Sequence, residues 1–365
     1  MDIQARSVEG LAVNPSFWCG KRVLLTGHTG FKGSWLSLWL QKLGATVAGY
    51  ALPPAPGENL FELASVGERM ESVFADIRSL ESVQKLVAQF RPEIVFHLAA
   101  QPLVRLSYLI PVETYQVNVM GTVNLLEAVR TTGSCRVIVV ITSDKCYENR
   151  EWVWGYRESD PQGGDDPYSS SKGCAELAIS AYRKSFFETH RSVAVASARA
   201  GNVIGGGDFS KDRLVPDLMT AIRKCSPLKV RYPNAIRPWQ HVLEPLSGYL
   251  LLAEKLWGNP QGYSQSWNFG PSLDDARPVR WIVEKVNDLW GEQFSWDLDS
   301  EPKLHEAHLL MLDSAKARMM LGWKPRWRLE QALEAVVDWY KAYAKAESLR
   351  ELVMQQIASY ESVDT

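Results

Sequence analysis

The sequence predicts an α/β protein with a Rossmann-type, doubly wound parallel sheet and a smaller C-terminal substrate-binding domain. Three observations predict it. A buried strand near 21–26 runs directly into a glycine-rich turn, and a helical pattern follows the turn. Short apolar strands then alternate with helices as far as about residue 200, which is typical of parallel sheets. Beyond that point prolines break the regular pattern, at Pro216, Pro227, Pro233 and Pro238.

Composition limits the classes of function. The chain has 365 residues, 46% of them hydrophobic, and a net charge of -2. That charge gives no reason to expect nucleic acid or an anionic membrane as a partner. Five cysteines lack C-x-x-C spacing, and no apolar run reaches about 18 residues, so we expect a cytoplasmic protein without a structural metal. Residues 1–16 carry no signal-peptide pattern, and we expect them to be disordered.

The first motif is the turn after the first strand. Strand, glycine turn and helix together form the context in which backbone approaches a pyrophosphate at a helix N-terminus. The spacing here is Gly-x-x-Gly-x-x-Gly, and a turn without a ligand is the alternative. The candidate cofactor-binding residues are Gly27, Thr29, Gly30, Phe31, Lys32 and Gly33.

The second strand, 46–51, is where a dinucleotide site often has an acid for the ribose of NAD. Residues 49–52 offer neither an acid for NAD nor an arginine for NADP. Charge alone therefore does not decide between the two cofactors.

Later elements follow in order. The predicted strands are 73–76, 94–98, 137–142, 193–199 and 267–270. The predicted helices are 35–43, 112–131, 246–256, 281–290 and 329–343, and one more helix follows the strand at 73–76 and ends near residue 90. We expect residues 17–203 plus about 241–270 to form the dinucleotide-binding domain. Residues of about 204–240 plus 271–350 would form the substrate domain.

Ligands of such sheets bind at the carboxyl ends of the strands. This rule selects Asp76, Ile77, Ala99, Ala100, Gln101, Ser143, Asp144 and Lys145. Asp76, Ile77, Ala99 and Ala100, with Leu98 at the end of its strand, are further candidate cofactor-binding residues. Asp76 has two readings, contact with adenine or a cap of the next helix. His97 is better read as a strand-end residue that satisfies a backbone group than as a catalytic base. His305 and His308 lack the further ligands that a metal site needs, so we expect them at the surface.

A tyrosine and a lysine are predicted to share one helix face. Asp165, Asp166 and Pro167 predict that a helix begins just before Tyr168, and Lys172 lies one turn later. An ammonium at that spacing and the positive helix end would draw the phenol pKa down from about 10 towards neutrality. Tyr168 is therefore a candidate general base.

The motifs together resemble the extended short-chain dehydrogenase/reductase family over about residues 17–343. The resemblance rests on the glycine turn, on His97–Ala100, on Asn118 and on the Tyr168–Lys172 pair. Longer runs resemble the nucleotide-sugar 4,6-dehydratases of the CDP-sugar branch. They are 100–105, 142–147, 199–208 and 237–242.

That resemblance implies NAD as cofactor and CDP-glucose as substrate. It also implies a homodimer joined through helices near 112–131 and 168–190, and a role in deoxysugar synthesis for a lipopolysaccharide O-antigen. It implies oxidation at C4, loss of water across C5 and C6, and reduction at C6. Tyr168 would take the 4-hydroxyl proton, Lys172 would hold the nicotinamide ribose, Ser143 would bond the 4-oxygen, and Asp144 would protonate the departing 6-hydroxyl. The implied substrate-binding residues are Gln101, Arg105, Asn118, Asn202, Arg213 and Arg237. A guanidinium at Arg237 suits a phosphate, and a surface role is its alternative.

Lys145 departs from the dTDP-sugar dehydratases, in which an Asp-Glu pair occupies these two positions. The C5 base is therefore open between two alternatives. Either Lys145 takes the C5 proton, or water or Tyr168 takes it while a charged Lys145 stabilises the enolate. Another nucleotide-sugar dehydratase or a 4-epimerase is the rival enzyme. A non-catalytic dinucleotide sensor is the rival of another class, and it would not need Tyr168, Lys172 and Asp144.

Overall fold

The computed structural model describes residues 12–188, 193–291, 294–299 and 309–363. Seven parallel strands form the central sheet in the order β3 (Glu71–Phe74), β2 (Thr46–Ala51), β1 (Arg22–Thr26), β4 (Ile94–His97), β5 (Val137–Ile141), β6 (Ala194–Ala200) and β11 (Ser266–Phe269). The chain moves outward from β1 in one direction, returns, and then builds the other half of the sheet. The predicted doubly wound fold is confirmed. His305 and His308 lie outside the described residues.

The strands of the central sheet are short and mostly buried. Three small two-stranded ladders lie outside it and pair β7 (Val203–Ile204) with β10 (Gln240–His241), β8 (Leu228–Val230) with β13 (Trp296–Leu298), and β9 (Ile236–Pro238) with β12 (Ala276–Pro278).

The helices pack on both faces of the sheet, against one another and against the small ladders. They are α1 (Pro15–Trp18), α2 (Phe31–Lys42), α3 (Leu60–Leu63), α4 (Leu80–Phe90), α5 (Val104–Leu109), α6 (Pro111–Tyr115), α7 (Gly121–Thr132), α8 (Pro167–Tyr182), α9 (Leu214–Arg223), α10 (Leu243–Gly258), α11 (Pro260–Tyr263), α12 (Val279–Trp290), α13 (Leu329–Ala344) and α14 (Leu349–Glu361). Within the described ranges, none of them has the length and apolar character needed to cross a bilayer.

The core lies on both sides of the sheet. All five residues of β5 and all seven of β6 are buried, because helices pack on both faces of a parallel sheet. One apolar cluster contains Trp18, Trp35 and Trp39, and the other contains Ile138 and Leu126. The sheet is therefore packed on both faces, and the carboxyl ends of its strands form an edge that can hold a site.

Several predicted boundaries shift. β2 is confirmed as predicted, whereas the strand expected at 73–76 spans Glu71–Phe74. The long helix expected at 112–131 is three pieces, because a π-helical turn, Gln116–Met120, joins α6 to α7. The last helix, α14, was not predicted.

Candidate active site

One cavity of about 600 Å³ opens at the carboxyl edge of the sheet. It extends from the glycine turn, past the end of β5 and the start of α8, to the segments around β8 and β9. It therefore brings together most of the residues that the sequence selects. Those at the cavity wall are Gly27, Thr29, Gly30, Phe31, Lys32, Gly33, Asp76, Ile77, Leu98, Ala99, Ala100, Arg105, Ser143, Asp144, Lys145, Tyr168, Lys172, Asn202, Arg213 and Arg237.

The glycine turn is packed too tightly for side chains. Gly27 has a φ of +75°, and a Cβ there would lie 2.7 Å from the Ala99 backbone nitrogen. A Cβ at Gly33 would overlap the Gly27 carbonyl oxygen. Gly30 caps α2 without a side-chain hydrogen bond, so the first backbone N–H groups of this twelve-residue helix face the cavity region uncapped. With the cation of Lys32 beside them, these groups fit a dinucleotide pyrophosphate.

Asp76 lines the cavity next to Ile77, just after β3 and before the turn at residues 77–78. Its carboxylate accepts hydrogen bonds from the Arg78 backbone N–H and guanidinium. Those bonds hold the pKa of Asp76 below its usual value. Ser79, not Asp76, caps α4 through the N–H of Ser82. The helix-cap reading of Asp76 is therefore wrong, and contact with adenine stays a prediction.

Tyr168 and Lys172 start α8, as predicted. Asp166 caps the helix by accepting from the Ser169 N–H, and Pro167 is its first residue. Both side chains are buried, with the Lys172 Nζ 5.9 Å from the Tyr168 ring centroid. The expectation for the phenol is wrong: burial raises the pKa of Tyr168 to about 12, and its hydrogen bond with Ser143 offsets only part of that effect. Burial lowers the pKa of Lys172 to about 8.

The Ser143–Lys145 segment follows β5 directly. A 3-10 turn, Asp144–Cys146, begins there, and the Ser143 hydroxyl accepts from the Lys145 N–H at 3.2 Å. The same hydroxyl donates to Asp144 Oδ1 at 2.9 Å. Only 4% of Asp144 is exposed. Burial raises the pKa of its carboxyl, although Lys145 and Ser143 act against the shift. A buried carboxyl with a raised pKa is suited to act as a general acid.

Arginines dominate the far end of the cavity. Arg105 pairs with Asp212 at 2.8 Å, and Arg213 pairs with Asp208 at 2.9 Å. Arg231, which the sequence reasoning missed, lies in the same wall, next to the Arg237 segment. It comes directly after β8, so the strand-end rule could have selected it if that short strand had been recognised. Several guanidiniums around one cavity suit a diphosphate.

Two predicted substrate residues, Gln101 and Asn118, do not line the cavity. Asn118 is buried, and its amide bonds the Gln101 backbone and the Ser171 hydroxyl. The Gln101 amide bonds Leu103 and Thr114. The structure thus gives both side chains a role in joining the loop after β4 to neighbouring helices, and their contact with substrate stays a prediction.

His97 also lies outside the cavity. Its two ring nitrogens contact the hydroxyls of Thr26, at 2.7 Å, and Thr122, at 3.1 Å, and not a backbone group. Burial lowers its pKa to about 3. A neutral, fully bonded histidine away from the cavity is consistent with the structural reading and not with a catalytic base. No cluster of metal-ligating side chains occurs among the described residues.

The family model described as GDP-mannose 4,6 dehydratase matches residues 24–336, which is most of the chain. The chain belongs to this family. The resemblance read from the motifs is thereby confirmed.

Members of this family and its neighbours differ in chemistry. The chain is 54% identical to the CDP-glucose 4,6-dehydratase of Salmonella typhimurium, covering 97% of this chain and 99% of that one. It is 27% identical to a UDP-glucose 4-epimerase of Mycolicibacterium smegmatis, covering 88% and 98%. Among solved structures, a dTDP-glucose 4,6-dehydratase of Streptomyces venezuelae with NAD bound superposes with a TM-score of 0.77 at 23% identity, covering 89% and 98%. That structural likeness shows the shared fold.

Proposed function

We propose that the protein is a CDP-glucose 4,6-dehydratase, a lyase that converts CDP-glucose to CDP-4-keto-6-deoxyglucose and water. One observation carries the proposal: the buried carboxyl of Asp144 lies in the same cavity as Tyr168 and the glycine turn. A 4-epimerase expels no hydroxyl in its reaction and needs no such acid. The 54% identity with a CDP-glucose 4,6-dehydratase supports the CDP sugar as substrate.

NAD is the proposed cofactor. The glycine turn, Lys32 and Ala99 would hold its pyrophosphate region, and Asp76 lies where the second strand and its neighbour end. When bound, it supplies a reversible hydride acceptor and a positive charge that favours ionisation of a neighbouring phenol. The other groups of the reaction belong to the protein.

The first chemical task is removal of the 4-hydroxyl proton. Tyr168 is the proposed base, and Ser143, which hydrogen-bonds the phenol, would also hold the 4-oxygen. With a pKa of about 12, the Tyr168 phenol is protonated in the free protein at neutral pH. Ionisation of the phenol therefore depends on the positive charge that an oxidised cofactor would add to the site, beside the Lys172 ammonium that is already there.

The second task is loss of the 6-hydroxyl after the 4-ketone has acidified C5. Asp144 would give its proton to the leaving oxygen, which requires the carboxyl to be protonated at working pH. Burial raises its pKa, and this favours the acid form. Lys145, the next residue in the cavity wall, is the proposed acceptor of the C5 proton.

A nucleotide-sugar 4-epimerase on the same scaffold is the second candidate, because the chain is also similar to a UDP-glucose 4-epimerase. Purified protein incubated with CDP-, UDP-, dTDP- and GDP-hexoses separates the two. A dehydratase gives a 4-keto product whose enolate absorbs in strong alkali, whereas an epimerase gives an isomeric sugar without that absorption. Production of an epimer alone would refute the proposal.

A homodimer is also proposed. The segment made of α6, the π-helical turn and α7 packs beside α8, and together they leave apolar side chains exposed, among them Val112, Met120 and Leu177. Apolar groups on one continuous pair of helices are typical of a self-complementary interface. Light scattering should report twice the 41.1 kDa chain mass, and Leu177→Glu should shift it towards the monomer. A wild-type monomer would refute the interface.

We also propose that the chain forms two domains. Residues 17–203 plus about 241–270 bind the cofactor, and residues of about 204–240 plus 271–350 bind the nucleotide sugar. A cytoplasmic location is consistent with five free thiols. There the product could serve the synthesis of deoxysugars, such as those of a lipopolysaccharide O-antigen.

A further inference from the structure

An ion pair lies buried directly behind the proposed catalytic residues. Glu176 and Arg199 are 2.8 Å apart, and their side chains are 2% and 0% exposed. Glu176 is on α8, one turn beyond Lys172, and Arg199 is on β6. Neither side chain lines the cavity, so the pair contacts neither cofactor nor substrate.

Each oxygen of the Glu176 carboxylate accepts two hydrogen bonds at 2.5–2.8 Å. Oε1 accepts from Arg199 Nε at 2.8 Å and from the Thr142 hydroxyl at 2.5 Å. Oε2 accepts from Arg199 Nη2 at 2.8 Å and from the Ser197 hydroxyl at 2.7 Å. Arg199 Nη1 donates to the Tyr147 hydroxyl at 2.6 Å. The network therefore ties α8 to the ends of β5 and β6.

Those are the segments that carry the chemistry. Thr142 precedes Ser143 and Asp144, and Arg199 precedes Gly201, which packs directly against the Asp144 carboxyl. A buried pair of this kind has a large desolvation cost, and well-packed apolar side chains often give equal or greater stability. A gain in overall stability is thus a weak reason for its presence, whereas fixed placement of three segments follows from the bonds themselves.

We propose that the Glu176–Arg199 pair positions the catalytic segments, with the Glu176 carboxylate held one helical turn beyond Lys172. This inference rests on the proposed function, because it concerns residues assigned to that reaction. Glu176 and Arg199 act through Lys172 and Asp144 and are positioning residues.

The charges around Lys172 give the sign of the effect. Facing it are Glu176 on its own helix, Cys146 from the turn after β5, His97 from β4 and Lys32 from α2. Burial lowers the pKa of Lys172 to about 8, and Glu176 acts against that fall. Although burial would raise the pKa of Glu176, the Arg199 guanidinium holds it below its usual value, so the carboxylate is ionised.

Loss of the Glu176 charge should therefore lower the pKa of Lys172 further. The protonated form would then be lost at a lower pH. In Glu176→Gln, the alkaline limb of kcat/KM should move to lower pH by about one unit, and the pH at which NAD binding weakens, followed by tryptophan fluorescence, should move with it. Glu176→Asp retains the charge and should leave both the alkaline limb of kcat/KM and the pH dependence of NAD binding near their wild-type positions. A purely structural role would lower kcat in both variants without moving the alkaline limb or the pH at which NAD binding weakens.

A second variant tests placement separately from charge. Arg199→Lys keeps a cation but cannot bond both carboxylate oxygens and Tyr147 together, so kcat should fall at least tenfold while KM changes little. Ser197→Ala, which removes one donor only, is the milder control. An unmoved limb in Glu176→Gln, or wild-type kcat in Arg199→Lys, would overturn the inference. If Glu176→Gln does not fold, the kcat of Arg199→Lys decides alone. Wild-type protein inactive on CDP-glucose would instead count against the proposed function.

Discussion

Gly201 leaves no room for a side chain beside Asp144: a Cβ atom placed there would stand 2.6 Å from the Asp144 Oδ2 atom. Gly201→Ala should therefore displace the Asp144 carboxyl by a few tenths of an ångström or more. Because misplacement of a catalytic group is costly, we expect kcat to fall roughly 10- to 100-fold with folding preserved. Gly258→Ala is the matched control, since a Cβ there meets nothing within 4 Å. Equal activities of the two variants would contradict the role of Asp144.

Tyr168→Phe removes only the phenol oxygen. The ring remains packed in its buried position, so the variant should fold and bind NAD as the wild type does. Turnover should fall by about 10² to 10⁴, the usual contribution of a general base. Steady-state rates and thermal unfolding separate the two effects. Near wild-type turnover would show that another group takes the 4-hydroxyl proton.

Asp144→Asn cannot donate a proton to the departing hydroxyl. Oxidation at C4 should then persist while elimination fails, and a substrate with fluoride at C6 should restore turnover because fluoride needs little help to leave. The pH dependence has a defined sign. The pKa of Asp144 is raised, so its acid form, and with it the elimination step, is lost as pH rises through that value. Absence of rescue by the fluoro substrate would count against the assignment.

Lys145→Met tests the proposed C5 base. The variant should still oxidise bound substrate at C4, whereas exchange of the C5 hydrogen with heavy water should fall by at least 10²-fold. Mass spectrometry of recovered substrate and product measures that exchange. Exchange at the wild-type rate would leave water or Tyr168 as the base.

Cofactor choice is a separate prediction. The end of β2 has no arginine for a 2′-phosphate, and Arg78, after β3, is already paired with Asp76 at 2.6 Å and Glu113 at 3.4 Å. We expect apo-protein to bind NAD at least tenfold more tightly than NADP. Titration with both, followed by tryptophan fluorescence, decides it. Tighter binding of NADP would refute the prediction.

The sheet could be predicted from sequence because its strands carry short, continuous apolar runs between turns. β5 is such a run and is buried throughout. The helix after β4 was harder, since nothing in its apolar pattern marks the π-helical turn at Gln116–Met120. The last helix was missed although Ser348 and Glu351 give its capping signal, with the Ser348 hydroxyl accepting from the Glu351 N–H.

The residues of the site could likewise be predicted only in part from the sequence. The strand-end rule located Ser143, Asp144 and Lys145 correctly at the cavity because parallel strands end at one edge. It could not tell that Gln101 and Asn118 bond their neighbours instead of facing the cavity, because that depends on side-chain packing. The pKa of Tyr168 was misjudged for a related reason: sequence gives the lysine one turn away but not the burial that outweighs it.

The proposed reaction is a dehydration in which hydrogen moves from C4 to C6 of one sugar. CDP-glucose carrying deuterium at C4, incubated with the purified protein and NAD, tests it directly by mass spectrometry and NMR of the product. We expect CDP-4-keto-6-deoxyglucose with deuterium in the C6 methyl group and no net accumulation of reduced cofactor. Recovery of a C4 epimer with deuterium still at C4, or of unchanged CDP-glucose, would contradict it.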